Sequence, residues 1–155
     1  MLAYLQEGFA AQHKPVTVLL CDIDEFRRVN ELFGRPTGNE LLKLVSNILR
    51  SSSRSVDYLA RAGGDEFVLL VAAARPEELA NKLEALDRLV ANACRGLCGE
   101  ESSGLAVGVA SFPENGADAD SLIAFAEQAL ASAKEARRAT RNVMLQLEHS
   151  VRRPT

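Results

Sequence analysis

The spacing of apolar positions predicts an alternation of helices and strands along the whole chain. Leu2, Leu5 and Phe9 recur at helical intervals, which predicts a lead-in helix within residues 1–14 that breaks at His13-Lys14-Pro15. Val16 to Cys21 is apolar or β-branched at every position, the pattern of a strand covered on both faces at the centre of a sheet. Asp24 offers a helix N-cap, and Phe26, Val29, Leu32 and Phe33 follow at 3.6-residue spacing until Gly34 and Pro36. A second helix is predicted from Asn39 to about Leu49 on Leu41, Leu42, Val45, Ile48 and Leu49.

Ser51 to Ser55 reads as a short polar loop. Tyr58 to Ala62 and Asp65 to Ala72 read as strands joined through Gly63-Gly64, a pair able to supply positive φ angles in a hairpin turn. Pro76 to Cys94 predicts a helix, Leu105 to Phe112 a strand, Ala119 to Arg138 an alanine-rich helix opening near Asp118 and Asp120, and Val143 to Leu147 a last strand. No repeat or low-complexity tract interrupts this order. It predicts one α/β sandwich, a mainly antiparallel sheet flanked by helices on a ferredoxin-like core, with residues 15–147 as the core and 148–155 as a tail.

Composition narrows the classes. With 155 residues, 47% hydrophobic and 25% charged, the chain has the balance of one soluble domain. A formal charge of −3 with scattered Lys and Arg argues against binding nucleic-acid polymers. The longest apolar runs fall far short of the roughly 20 residues of a membrane span, so no membrane insertion is expected. Met1 to Phe9 lacks the basic start and long apolar stretch of a secretory signal. Three cysteines, with Cys21 inside an apolar run, fit a reducing, cytoplasmic setting. Cys94 and Cys98 stand one helical turn apart without a third or fourth ligand and read as packing or surface residues, as His13 and His149 read as surface residues.

Two constellations carry chemistry. Asp22-Ile23-Asp24 ends the buried strand immediately before a helix; hard cations take oxygen ligands, and a helix N-terminus presents free N–H groups to phosphate. Gly63-Gly64-Asp65-Glu66 places two carboxylates beside a bend without side chains, which lets a ligand approach closely. Singly, each has an ordinary reading as a strand end, a cap or a turn. If their strands are neighbours, Asp22 and Asp65 can share a metal ion.

Jointly they resemble the GGDEF domain family. Gly63 to Phe67 spells its name and Asp22 to Phe26 matches the D-x-D-x-F segment upstream. The resemblance extends from about Pro15 to Asn142. Arg54-Ser55-Val56-Asp57 fits the family's R-x-x-D motif, five residues before the double glycine, and Asn30 matches the asparagine that contacts guanine. Arg27 takes the place of a lysine near the phosphates, and Ala133-Lys134 matches the A-K pair on the last long helix.

The resemblance implies a diguanylate cyclase that condenses two GTP molecules into cyclic di-GMP, with the reaction completed across a homodimer and an upstream sensory domain as the usual attachment. It implies Mg²⁺ (or Mn²⁺) held by Asp22, the Ile23 carbonyl, Asp65 and Glu66, with Asp65 as proton acceptor and Glu66 beside it. It further implies nucleotide contacts from Phe26, Arg27, Asn30, Asn39, Gly63, Gly64 and Lys134, and product inhibition at Arg54 and Asp57.

Several positions depart from the family. Asn39 stands where an aspartate usually reads guanine; an amide has one acceptor oxygen and must donate through its NH₂, so the match to guanine weakens by roughly 1–3 kcal/mol. The D-x-L-T-G-L-x-N segment that commonly opens these domains does not occur before His13, and the usual tyrosine three residues before Lys134 is Ala131. The expected G-R-N appears only at Thr140-Arg141-Asn142, about three residues late, which leaves Arg138 and Arg141 as alternatives for the phosphate arginine.

Overall fold

A computed structural model describes residues 15–54, 58–72, 75–99 and 104–152. The lead-in helix expected before Pro15, and Asp57 of the R-x-x-D motif, lie outside them. In chain order the elements are β1 (Val16–Ile23), α1 (Phe26–Phe33), α2 (Arg35–Ser51), β2 (Tyr58–Gly63), β3 (Glu66–Ala72), α3 (Pro76–Cys98), β4 (Leu105–Phe112) and α4 (Ala119–Val151). The strands form one sheet in the order β2-β3-β1-β4, with every neighbouring pair antiparallel. The α/β sandwich read from the sequence is therefore the observed architecture.

β1 is the centre of the sheet because both of its faces are apolar. Leu19, Cys21 and Ile23 join Phe67, Leu69 and Val71 under the helices α1, α2 and α3, where Val29, Leu41, Val45, Leu49, Leu86 and Val90 pack onto them. Val18 and Leu20 join Val68, Leu70, Ala106 and Ala110 on the other face, beneath α4. The thiol of Cys21, sealed in this core, is pushed up to about 12 by burial, helped by the charge of Asp22.

α4 lies close to its strands because its inward positions Ala119, Leu122, Ala126 and Leu130 recur every three or four residues and are partly small. Contact is tightest at Gly108 on β4, where a Cβ would collide with the Ala126 carbonyl oxygen and the Leu130 backbone.

The structure corrects four local expectations. Val143 to Leu147 is not a strand: α4 runs on unbroken to Val151, because no glycine or proline interrupts it after Lys134 and residues 142–151 meet no sheet edge. Asp24 does not cap α1. That position falls to Glu25, a non-glycine residue at φ 55° without a side-chain cap bond, while Asp24 is turned into the protein. Gly63 and Gly64 do not adopt positive φ, the described positive-φ glycines being Gly34 and Gly99. Finally, α2 begins at Arg35 instead of Asn39, since Gly34 at φ 88° already breaks the chain and Pro36 fits a first helical turn.

The contact at Gly108 makes it a sensitive point of the α4 face. Gly108→Ala should destabilise the domain by roughly 1–3 kcal/mol, because backbone on both sides of the new methyl has to move; chemical denaturation monitored by circular dichroism checks this, and an unchanged midpoint would contradict the close approach.

Candidate functional site

Asp22 is the penultimate residue of β1, with its side chain 7% exposed. It stands opposite Glu66 in the β1–β3 ladder, and strand alternation turns both toward the α4 side of the sheet. The β2–β3 hairpin brings Asp65 alongside: the Ile23 N–H donates to the Asp65 carbonyl at 3.4 Å, and the Asp22 and Asp65 carboxyl groups meet in a hydrogen bond. Arg61 ties the bend from behind, its Nε and Nη2 donating to the Gly64 carbonyl at 3.0 and 2.6 Å.

Burial, then the hydrogen bond that its protonated form donates to Asp65, pushes the Asp22 carboxyl up to about 7, against the opposing pull of Lys134. Lys134 reaches it from α4 as an ion pair. On the following turns Arg137 pairs with the buried Asp24, and Arg141 pairs with Glu25. Arg137 is the most connected of these: Nε donates to Asp24 Oδ2 at 2.6 Å and Nη2 to Asp87 Oδ1 at 2.8 Å, while the same Asp87 oxygen accepts the Leu105 N–H at 2.8 Å. Its burial disfavours the charge, but the bonds to both carboxylates outweigh that and raise its pKa.

These groups surround a cleft of about 370 Å³ with acidic and basic walls. Asp22, Asp24, Glu25, Asp65 and Glu66 line it together with Arg27, Lys134, Arg138 and Arg141, and with Ile23 and Phe26. A second groove of about 700 Å³ runs between α2 and the edge strand β2, from Asn39 past Lys43 to Arg50 and Arg61.

The predicted residues thus fall into three groups. Asp22, Ile23, Phe26, Arg27, Asp65, Glu66, Lys134, Arg138 and Arg141 share the first cleft; Arg27 also pairs with Glu31 at 2.9 Å on the exposed side of α1. Asn30 and Asn39 sit on adjacent helices, the Asn30 amide directly over Gly38, and Asn39 opens the second groove. Gly63 and Gly64 are exposed at the hairpin, and Arg54 is exposed just past the end of α2, away from the cleft-lining residues.

Asp87 and the pairings of Arg137 and Glu25 were not legible in the sequence. Helical spacing from Lys134 could have flagged Arg137 and Arg141 as one face of α4; nothing local marks Asp87, whose partners lie 18 and 50 residues away.

The donor set suits a hard divalent cation: two converging carboxylates, one of them held partly protonated by its burial and by the other, beside the backbone of Ile23. Among the described residues no group of three or more His, Cys, Asp or Glu could hold an ion unaided. Among the described residues, no helix is long and apolar enough to cross a membrane.

Comparison with known proteins gives a consistent picture. The profile of the family described as "Diguanylate cyclase, GGDEF domain" matches residues 2–140. The diguanylate cyclase DosC of Escherichia coli is 36% identical over 123 residues, 77% of this chain and 26% of that protein. The cyclic di-GMP phosphodiesterase PdeR of the same organism is 36% identical over 126 residues, 81% of this chain and 19% of that protein. The chain therefore spans about a quarter or less of the length of these two relatives. A crystal structure of a sensory box/GGDEF family protein from Caulobacter crescentus superposes with a TM-score of 0.66 at 29% identity, covering 87% of this chain and 88% of the other.

The raised pKa of Asp22 fixes the sign of a pH dependence in metal-free protein. In the unfolded chain this carboxyl loses its proton near its ordinary value of 3.8, whereas in the fold it keeps it until about 7; between those values the folded state binds the extra proton, so this residue lowers stability as pH rises. Asp22→Asn should therefore gain thermal stability over wild type on going from about pH 4 to pH 7 in the presence of a chelator. Melting curves across that window check it, and a constant difference would count against the buried, proton-sharing pair.

Proposed function

Since this chain belongs to the GGDEF domain family, we propose that it is a diguanylate cyclase, joining two GTP molecules into cyclic di-GMP with release of two pyrophosphates. The observation that carries this reading is the convergence of Asp22 and Asp65, from a strand end and a hairpin, inside a cleft that Lys134, Arg138 and Arg141 also line.

Asp22, the Ile23 carbonyl and Asp65 would hold Mg²⁺ or Mn²⁺, with Glu66 on the same side of the sheet. The bound ion supplies Lewis-acid stabilisation of charge on the triphosphate. Asp65 accepts the proton of the attacking 3′-hydroxyl, which displaces pyrophosphate from the α-phosphate of the second GTP. Lys134, which pairs with Asp22 at the cleft, would offer its charge to phosphate there. Arg138 is the better phosphate arginine: Arg141 is committed to Glu25, whereas Arg138 lines the cleft and makes no ion pair among the described residues. Asn30 and Asn39 read the base where α1 meets α2.

One site holds one GTP, so product forms where two protomers face each other. Arg54 and Asp57 form the product-inhibition site of this reading. An upstream sensory domain fits the family, as in the sensory box protein named above.

A second reading is a regulatory module that binds GTP or cyclic di-GMP with little turnover. Asn39 favours it, as does the similarity to a relative named for cyclic di-GMP hydrolysis.

Incubating concentrated protein with GTP and Mg²⁺ and separating the products by chromatography distinguishes the two. Cyclic di-GMP and pyrophosphate are expected, with Asp65→Ala reducing turnover by at least about two orders of magnitude, as loss of a general base does; nucleotide binding without product would select the module. Asn39→Asp restores acceptors for both guanine donors and should lower the Michaelis constant for GTP relative to ATP by about one to two decades; identical selectivity in both proteins would remove the role of residue 39.

A further inference from the structure

α4 is roughly 50 Å long at 1.5 Å per residue, yet only its first part is covered by the sheet. Its buried positions end at Leu130, the ion pairs of Lys134, Arg137 and Arg141 follow, and from Asn142 onward every described residue is exposed. Helical geometry carries the buried stripe onward: positions 126, 130, 137, 140, 144, 147 and 151 alternate in steps of three, four and seven along one seam. On the overhang that seam is apolar and open to solvent, with Met144 57%, Leu147 57% and Val151 84% exposed, and Val143 beside it at 54%.

We propose that this overhang pairs, antiparallel, with the overhang of a second copy of the chain, and so holds two clefts face to face. The inference rests on the cyclase reading for its purpose, since that site is incomplete without a second protomer. Its geometry rests on α4 alone.

Charge selects the occupant and the direction. An antiparallel two-fold crossing sets Met144 against Leu147 of the partner subunit and Thr140 against Val151 of the partner subunit. In that register the flanking positions along one edge of the seam are Arg141 and Glu148, so each arginine meets Glu148 of the partner subunit, twice over by symmetry. Glu148 has no side-chain partner among the described residues. Arg141 uses Nη1 on Glu25 and keeps the rest of its five-donor fork. A parallel pair would instead set Arg141 and Glu148 against Ala136 of the partner subunit and Val143 of the partner subunit, and would make no such ion pair.

Of the apolar residues that precede β1, Phe9 cannot supply the cover. α4 runs in the direction of β1, with Lys134 level with Asp22 at the far end of that strand from Pro15. Phe9 precedes Pro15 by six residues, roughly 20 Å at full extension, whereas β1 alone spans roughly 26 Å and the seam lies beyond it.

The seam is also placed for the purpose. It continues the helix face that carries Lys134 and Arg141 into the cleft, so a body resting on it stands at the cleft mouth. Three seam side chains bury less than the roughly 800 Å² per partner of a stable interface, so the pairing is reversible and nucleotides across the facing clefts strengthen it.

Sedimentation velocity over a concentration series tests this on the whole chain. Wild type should show a reversible monomer–dimer equilibrium. Leu147→Glu and Met144→Glu, both on open surface, should weaken it at least about tenfold, as should Glu148→Arg, which sets like charges together. Affinity per protomer for a non-hydrolysable GTP analogue, measured at a dilution where wild type is also monomeric, should stay within about twofold of wild type, while specific activity at low protein concentration falls and recovers as the concentration is raised. A wild type that stays monomeric, or variants that dimerise as tightly, would overturn the pairing. Dimers that make no cyclic di-GMP would instead remove the cyclase reading and leave the pairing in place, and activity per protomer independent of concentration and of Leu147→Glu would do the reverse.

Discussion

A carboxylate held out of water needs a positive partner, and in this domain that requirement falls on Asp22. The central strand brings it to the edge of the apolar core, where the hairpin delivers a second carboxyl instead of a cation. The resulting electrostatic demand is met provisionally by Lys134, and the neighbouring pairs Arg137–Asp24 and Arg141–Glu25 fasten the same helix to the same bend. The cleft is thus a place where charge balance is incomplete by construction, which is the physical precondition for taking up a cation with its anionic cargo.

This arrangement explains why α4 matters as much as the motif residues. The acidic side of the cleft comes from two short segments that the sheet aligns by register, Asp22 facing Glu66. The basic side comes from a single helix whose height over the sheet is set by the contact at Gly108. Arg137, with Asp24 and Asp87, braces that helix against β1, α3 and the start of β4 at once. Removing Arg137 leaves the buried Asp24 carboxylate without its partner, a larger loss than that of a surface ion pair such as Arg27–Glu31.

Much of this was legible in the sequence where the physics is local. The apolar run of β1, the periodic faces of α1, α2 and α3, and the two acidic segments each carry their signal within a few residues, and the sheet then joins Asp22 to Asp65 as expected. The failures came where two local rules competed. Asp24 has the composition of a cap but is claimed by Arg137, 113 residues away, so Glu25 takes the left-handed position in its stead. Val143 to Leu147 has the composition of a strand, yet helix propagation from Ala119 wins because nothing stops it and no strand edge receives it. Asp87 gave no signal at all, since its role exists only once three elements have met.

One uninterrupted helix carries the sheet-packing residues, the cleft cations and the exposed seam. Each residue added to or removed from its middle would rotate everything downstream by about 100°, carrying Lys134 away from Asp22 and the seam away from the cleft together. The three segments therefore share one phase, and the spacing between Leu130 and Leu147 is under a constraint that ordinary surface helices escape. Length variation in a domain built this way is confined to its loops, while the helix can change only by substitution.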